Sequence, residues 1–135
     1  CQFNYRDSVF KKKKNFVILE VALRLIKGSK KEIEKTAREF ILYRQKTQPL
    51  QLPSAGSIFK NPRGFSAGAL IEKCGLKGKR IGNAQISEKH ANFIVNLGNA
   101  RAEDVKKLIE LAKNKVKERF NLELEEEIQE LGFSG

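Results

Sequence analysis

Phe93-Ile94-Val95-Asn96-Leu97-Gly98 is the stretch that decides the fold, together with the helical pattern that follows it. The run is apolar, rich in β-branched residues and closed by a glycine, which predicts a buried strand. Beyond it, apolar residues recur at the spacing of one helix face: Val105, Leu108, Ile109, Ala112 and Val116. Acidic residues occupy the first turn of this pattern and basic residues its last turn, as the helix dipole favours. We therefore predict a strand followed by a long amphipathic helix.

Upstream of this stretch, two further elements are indicated. Apolar residues alternate with polar ones from Asn15 to Ile26, which predicts a half-buried strand. Ser29-Lys30-Lys31-Glu32 has the form of a capping box, so a helix is expected from about Lys30 to Gln45.

The remaining elements are shorter. Prolines and glycines interrupt residues 49–64, which predicts a loop region whose backbone can adopt the geometry of a site. Ser66 can cap a short helix from Ala67 to Cys74 that Gly75 ends, and Gly78 and Gly82 suggest tight turns around a short extended piece. A last alternating stretch predicts a final strand over about residues 122–131. The fold class is α+β, with helices packed on a mostly antiparallel sheet.

Length and composition favour one compact unit of a longer polypeptide. The 135 residues are 40% hydrophobic, and there is no methionine. No apolar run reaches the roughly 18 residues of a membrane helix, so a soluble, cytoplasmic protein is expected without a membrane partner. Cys1 and Cys74 are expected to be free thiols, with Cys74 in the core, and no spacing suggests a metal site.

Net charge leaves several partners open. The formal charge of +11 creates a positive field that attracts nucleic acid, anionic membrane or a phosphorylated small molecule. The densest cluster, Lys11 to Lys14, is interpreted as a solvated turn.

One short stretch gathers polar groups suited to a ligand. Ser57, Lys60 and Asn61 place a hydroxyl, an ammonium and an amide within five residues, which suits an anionic or sugar-bearing ligand. Taken alone, the glycine and serine there indicate an ordinary turn. Neither a Walker loop nor a G-x-G-x-x-G motif is present. His90, the single histidine, is more often structural or ligand-contacting than a general base.

Several motifs in order resemble the UDP-N-acetylenolpyruvoylglucosamine reductase family over nearly the whole chain. The matching stretches are Tyr5-Arg6-Asp7-Ser8-Val9-Phe10-Lys11, Gly56-Ser57-Ile58-Phe59-Lys60-Asn61-Pro62, Ala67-Gly68-Ala69-Leu70-Ile71-Glu72, Gly75-Leu76-Lys77-Gly78, Ala84-Gln85-Ile86-Ser87, His90-Ala91, Phe93-Ile94-Val95-Asn96 and Leu124-Glu125-Glu126-Glu127-Ile128 with Gly132. Separate matches in the right order are far more specific than any one of them.

The resemblance implies an activity and roles for individual residues. NADPH reduces a bound FAD, which passes a hydride to the enolpyruvyl ether of UDP-N-acetylglucosamine, giving UDP-N-acetylmuramate for peptidoglycan. Ser57 stands where the family's proton donor stands, and Glu127 and Arg6 stand where residues stabilise the substrate carboxylate. Arg6 is also implied to contact the cofactor. The substrate contacts that the resemblance implies are Asn61, Lys60, His90 and Tyr5.

The same resemblance divides the chain. Residues 1–28 are expected to be the end of the family's flavin-binding middle region, and residues 29–135 the C-terminal substrate-binding domain, with the catalytic Glu127 on the last strand. Glu126 and Gln129 depart from the proline and arginine usual in the family. The family's N-terminal flavin-binding domain lies outside this sequence, so the remainder of the same enzyme is the expected partner. This chain alone is expected neither to hold FAD tightly nor to turn over.

Two alternatives belong to other classes. A basic nucleic-acid-binding module would explain the charge, but the aromatic residues are mostly phenylalanines at core positions rather than a stripe interleaved with basic residues. A non-catalytic interaction domain would keep the fold and lose the chemistry.

Overall fold

The chain divides into two units, Cys1–Ile41 and Leu42–Gly135, where length and composition predicted one, and the second unit contains the sheet. The computed structural model describes residues 1–13 and 15–132. Within them, the helices are α1 (Val9–Lys12), α2 (Lys30–Thr47), α3 (Ala67–Lys73) and α4 (Ala102–Phe120). The strands are β1 (Ser54–Ser57), β2 (Arg80–Ile81), β3 (Ala84–Ile86) and β4 (Phe93–Asn96).

The strands form one antiparallel sheet in the order β1-β4-β3-β2. Helix α4 packs against β2 and β3, and α3 packs against α4. The α4 residues predicted to face the core do so: Leu108, Ile109, Ala112 and Val116 are buried, and Val105 packs against the core. The predicted α+β class, the strand at Phe93 and the long helix are confirmed.

The short helix α3 is also confirmed. The Ser66 hydroxyl oxygen accepts a hydrogen bond from the Ala69 N–H at 3.4 Å. Gly75 follows with φ +72°, a left-handed conformation that glycine adopts at little cost. Both ends of the helix therefore follow from local sequence. Gly78 and Gly82 likewise adopt positive φ on either side of β2.

The strand predicted over residues 15–26 is wrong. Residues 16–26 have no regular secondary structure, and their apolar side chains are exposed: Leu19 is 93% exposed and Leu25 83%. A strand needs a neighbour for its backbone groups and its apolar face. In the described part of the first unit, no segment pairs with these residues. By contrast, the helix predicted from Lys30 to Gln45 forms as α2.

The strand predicted over residues 122–131 is reduced to a single bridge, between Phe59 and Glu126. Backbone hydrogen bonds flank it on both sides, so pairing extends only over residues 125–127. The reason is that residues 58–60 are the short stretch available to pair with. Leu124 is nevertheless buried and Ile128 packs on the core, as the alternation predicted.

The other expectations concern single groups. Cys1 is exposed and Cys74 packs against the core, and both are free thiols as predicted. Across residues 1–13 and 15–132, no helix is long and apolar enough to cross a bilayer. The same residues hold no cluster of three or more potential metal ligands. Lys11 and Lys12 of the predicted lysine turn are exposed, as expected, but lie in α1 rather than in a turn. Lys14 lies outside the described residues. The functional boundary at residue 28 stays a prediction.

Candidate active site

Ser57 lies at the end of β1, just after a backbone irregularity. Gly56 has φ +83°, a conformation that disfavours any residue with a Cβ. The pairing of β1 with β4 shifts register between Ser54 and Ser57, which brings Ser57 opposite Phe93. Ser57 is half-buried. The conformation of Gly56 thus sets the backbone position of Ser57.

The backbone immediately after Ser57 is held on one side by Asn92. The Ile58 N–H donates to the Asn92 carbonyl at 2.9 Å. The Asn92 side-chain oxygen accepts from the Phe59 N–H at 3.0 Å, and its amide nitrogen donates to the Phe59 carbonyl at 2.8 Å. Asn92 is 4% exposed, so these bonds form away from water. Its side chain thus extends the pairing of β1 with β4 by one residue.

Glu127 and Glu125 hold the other side of the same segment. The Glu127 N–H donates to the Ile58 carbonyl at 2.8 Å, and the Lys60 N–H donates to the Glu125 carbonyl at 2.8 Å. Glu127 is therefore tied by its backbone to the residue that follows Ser57. Because side chains alternate along extended chain, Glu125 and Glu127 share the face opposite Leu124.

Ion pairs distribute the terminal carboxylates among different lysines. Lys60 pairs with Glu125. Glu126 lies on the other face and accepts from the Lys113 ammonium of α4 at 3.0 Å, which raises the pKa of Lys113. Glu123 pairs with Lys117 at 2.8 Å. Three of the terminal glutamates are therefore paired with lysines.

Asn61 is used in part for structure. Its side-chain oxygen accepts from the Ala67 N–H at 3.0 Å, at the start of α3. The loop from Lys60 to Ser66 is therefore tied to the helix that follows it.

His90 lies in the turn between β3 and β4 and is half-buried. Its Nδ1 accepts from the Asn92 N–H at 3.2 Å, and its ring meets the Phe93 ring edge-on at 5.0 Å between centroids. A backbone N–H can only donate, so the remaining ring nitrogen, Nε2, carries the proton of the neutral ring. Burial lowers the pKa of His90, which favours this neutral form. The imidazole suits hydrogen-bond donation to a ligand.

Tyr5 and Arg6 belong to the first unit, in a tight turn closed by reciprocal backbone bonds between Asn4 and Asp7 at 3.0 and 3.1 Å. Arg6 has φ +54°, and its guanidinium carbon lies 5.8 Å from the centre of the Tyr5 ring. The Arg6 carbonyl accepts from the Lys11 ammonium at 2.9 Å. Both side chains are exposed on this turn.

Within the second unit, backbone pairing brings together the segments that carry Ser57, Lys60 and Glu127. The His90 ring contacts edge-on the ring of Phe93, the residue in register with Ser57. Sequence reasoning missed Asn92 and Glu125 as parts of this arrangement. A polar residue inside the apolar run Ala91 to Val95 is a signal for Asn92, because a buried amide needs partners. Nothing in the sequence singles out Glu125 among its neighbouring glutamates.

Comparisons with known proteins relate this chain to one family. A family model described as "UDP-N-acetylenolpyruvoylglucosamine reductase, C-terminal domain" matches residues 48–131. The chain is 56% identical over 128 residues to the UDP-N-acetylenolpyruvoylglucosamine reductase of Fervidobacterium nodosum, covering 94% of this chain and 41% of that protein. It is 50% identical to the reductase of Thermosipho melanesiensis, covering 95% of this chain and 44% of that protein.

A solved structure matches as well. The crystal structure of the corresponding reductase from Thermus caldophilus superposes with a TM-score of 0.65 at 46% identity, covering 78% of this chain and 37% of that one. The chain spans less than half the length of these relatives. Nothing in these comparisons supports the nucleic-acid-binding alternative.

Proposed function

Because this chain belongs to the UDP-N-acetylenolpyruvoylglucosamine reductase family, we propose that it forms the C-terminal, substrate-side part of such a reductase. The reaction is the reduction of UDP-N-acetylglucosamine enolpyruvate to UDP-N-acetylmuramate, a step of peptidoglycan synthesis. A cytoplasmic location and assembly with the remainder of the same enzyme are parts of this proposal. The observation that carries it is the backbone bond of Glu127 to the residue next to Ser57.

The chemistry supplied by bound FAD is hydride delivery to the vinyl carbon, with NADPH as its reductant. Addition of hydride breaks the carbon–carbon π bond and moves an electron pair onto the adjacent carbon and its carboxylate. This enolate-like dianion needs a proton, a nearby cation and hydrogen-bond donors. The three candidate catalytic residues correspond to these needs.

Ser57 supplies the proton in this proposal. Its O–H bond breaks as the new C–H bond forms at the carbon next to the carboxylate, and solvent returns a proton to the alkoxide. A serine hydroxyl is a weak acid in water, but an enolate collapsing beside it needs only a donor already in place. Support comes from the position of Ser57, which is fixed by Gly56 before it and by the paired segment after it.

Glu127 and Arg6 stabilise the substrate carboxylate. Glu127 does so through a hydrogen bond that it shares with an oxygen on which charge builds. Arg6 offers a guanidinium, which pairs with carboxylates and phosphates in a two-pronged geometry. From this chain, Arg6 is also the residue proposed to contact FAD, which other parts of the enzyme hold. Its exposure on a tight turn fits an encounter with a large anionic ligand.

The remaining proposed contacts bind substrate. Lys60 lies three residues after Ser57 and offers an ammonium, which pairs with Glu125 in this structure, and the neutral His90 offers its Nε2–H. Asn61 and Tyr5 are proposed as further polar contacts to the substrate.

The test replaces the proposed proton donor and a matched serine on the same strand. In the complete reductase, Ser57→Ala should lower kcat by about 10²- to 10⁴-fold, the usual contribution of a positioned acid or base. Ser54→Ala should stay near the wild-type rate, since Ser54 is exposed on the same strand and the hydrogen bond that its hydroxyl oxygen accepts from the Gly56 N–H is long, at 3.4 Å. Reduction of the enzyme by NADPH should be unaffected in both variants, while reoxidation by substrate should slow only in Ser57→Ala. Equal reoxidation rates in the two variants would refute the proposal, and the 135-residue chain alone serves as the inactive control.

A further inference from the structure

Asn92 has a buried polar side chain and is hydrogen-bonded to the two residues after the proposed proton donor, and neither the motifs nor the family resemblance gives it a role. It is the last turn residue before β4, within an otherwise apolar run. Its carbonyl accepts one hydrogen bond from the Ile58 N–H. Its side chain forms two with Phe59, accepting one from the N–H and donating one to the carbonyl. An amide with a structural role elsewhere in this core would find its hydrogen-bond partners there, without contacting residues 57–60.

The Asn92 side chain takes the place that the next residue of a paired strand would occupy. Ser57 is in register with Phe93, the first residue of β4, so the backbone beyond Ser57 has no further residue of β4 to pair with. The Asn92 amide pairs with both the N–H and the carbonyl of Phe59, at 3.0 and 2.8 Å. A side-chain amide has the same donor and acceptor as a peptide group, so it can continue the ladder where the chain itself turns away.

The same segment carries Glu127 on its other side. With the Asn92 bonds in place, the Ile58 carbonyl points to the Glu127 N–H, and the Lys60 N–H points to the Glu125 carbonyl. Residues 58–60 thus lie between Asn92 on one edge and residues 125–127 on the other, and the pairing with residues 125–127 is antiparallel. Loss of the Asn92 hydrogen bonds would therefore make the backbone positions of both Ser57 and Glu127 less well fixed.

We propose that Asn92 is a positioning residue, which fixes Ser57 and Glu127 relative to each other by pairing its side-chain amide with the Phe59 backbone. It touches no substrate and acts through the segment between the two catalytic groups. The kinetic part of this inference rests on the proposed function. Its structural part does not, because it concerns hydrogen bonds within this chain.

The experiment compares Asn92→Ala and Asn92→Asp with the matched control Asn96→Ala. Asn96 also uses a side-chain oxygen to accept backbone N–H groups, from Gly98 at 2.8 Å and Ala100 at 3.0 Å, but in the turn after β4. The control therefore removes bonds of the same chemistry at the other end of the same strand. Asn92→Asp keeps the size and the acceptor but loses the donor to the Phe59 carbonyl.

Two readouts are measured. In the full chain, hydrogen exchange of the Phe59 amide should quicken at least tenfold in Asn92→Ala, and stay unchanged in Asn96→Ala. In the complete reductase, kcat should fall by about 10²-fold in Asn92→Ala with KM within threefold of wild type, because a small misplacement of reacting groups costs about that much. The solvent deuterium isotope effect on kcat should rise in both Asn92 variants, since delivery of the proton then limits the rate.

The outcomes separate the two ideas. If Phe59 exchange in Asn92→Ala and the isotope effect in both Asn92 variants match those of Asn96→Ala, then Asn92 is structural only and the inference is overturned. If Phe59 exchange responds as expected but neither Ser57→Ala nor Asn92→Ala slows reoxidation by substrate, then the proposed function fails while the pairing stands. If Asn92→Ala does not fold, Asn92→Leu takes its place, because leucine is close in size and offers no acceptor to the Phe59 N–H, and its Phe59 exchange decides the same question.

Discussion

Replacement of Gly56 by alanine tests whether the backbone before Ser57 must be left-handed. Gly56 has φ +83°, and a Cβ built there meets no atom within 4 Å, so the cost is conformational rather than steric. An L-residue in this region costs about 1 to 2 kcal/mol. Alanine also restricts the unfolded chain, which returns about 0.4 to 1 kcal/mol. The net loss in the free energy of unfolding should therefore be about 1 kcal/mol.

Urea unfolding of the full chain measures this loss. With a urea dependence of about 2 kcal/mol per M, the midpoint should fall by about 0.5 M in Gly56→Ala. Gly75→Ala is the matched control, because Gly75 has φ +72° and also meets no atom within 4 Å. Its midpoint should fall by a similar amount. In the complete reductase, however, only Gly56→Ala should lower kcat, by about tenfold or more, since it displaces Ser57. An unchanged midpoint in Gly56→Ala, or equal turnover in the two variants, would refute the reasoning.

Two further outcomes are expected from local features of the second unit. Ser66→Ala removes the hydroxyl that accepts from the Ala69 N–H and should destabilise the chain by about 1 kcal/mol, whereas Ser66→Asp should keep most of the stability; thermal unfolding compares them. Burial lowers the pKa of His90, so below about pH 6.5 the unfolded chain binds more protons there than the folded chain. The free energy of unfolding should therefore fall as the pH drops from 7.5 to 5.5, and His90→Gln should reduce that fall; an equal fall in both proteins would contradict the assignment.

Elements that carry their own local signals were predicted from the sequence. Helix α4 was predicted because its apolar period and its terminal charges agree, and it then buries that same face. Helix α3 was predicted from a serine at one end and a glycine at the other. In these cases the information needed lies within one or two turns of the chain.

Strands were predicted less well, because a strand depends on a partner. The alternating residues from 15 to 26 have the composition of a strand but remain exposed, since no described neighbour in their unit pairs with them. Strand β1 lies in the stretch expected to be a loop because prolines and glycines interrupt it, yet pairing with β4 orders it. Alternation shows which face a strand would bury and leaves open whether a partner exists.

The site was predictable only in part for a related reason. Ser57, Lys60 and Asn61 form a visible cluster in the sequence, but the resemblance to the family was needed to give Ser57 a role. The connection of Glu127 to this cluster is a tertiary pairing between distant segments, which no local pattern encodes. Asn92 was missed because its partners are backbone groups of Phe59, and backbone groups leave no mark in a sequence.

The arrangement separates the placement of the catalytic groups from their chemistry. Glu127 is placed by its N–H, which donates to the Ile58 carbonyl, and Ser57 by the φ of Gly56 and the register with Phe93. None of these contacts uses the Ser57 hydroxyl or the Glu127 carboxyl. Side-chain substitutions at either position therefore change the acid or the charge while the backbone that carries it keeps its pairing. The residues whose loss would move the site are instead Gly56 and Asn92, which have no acid–base chemistry of their own.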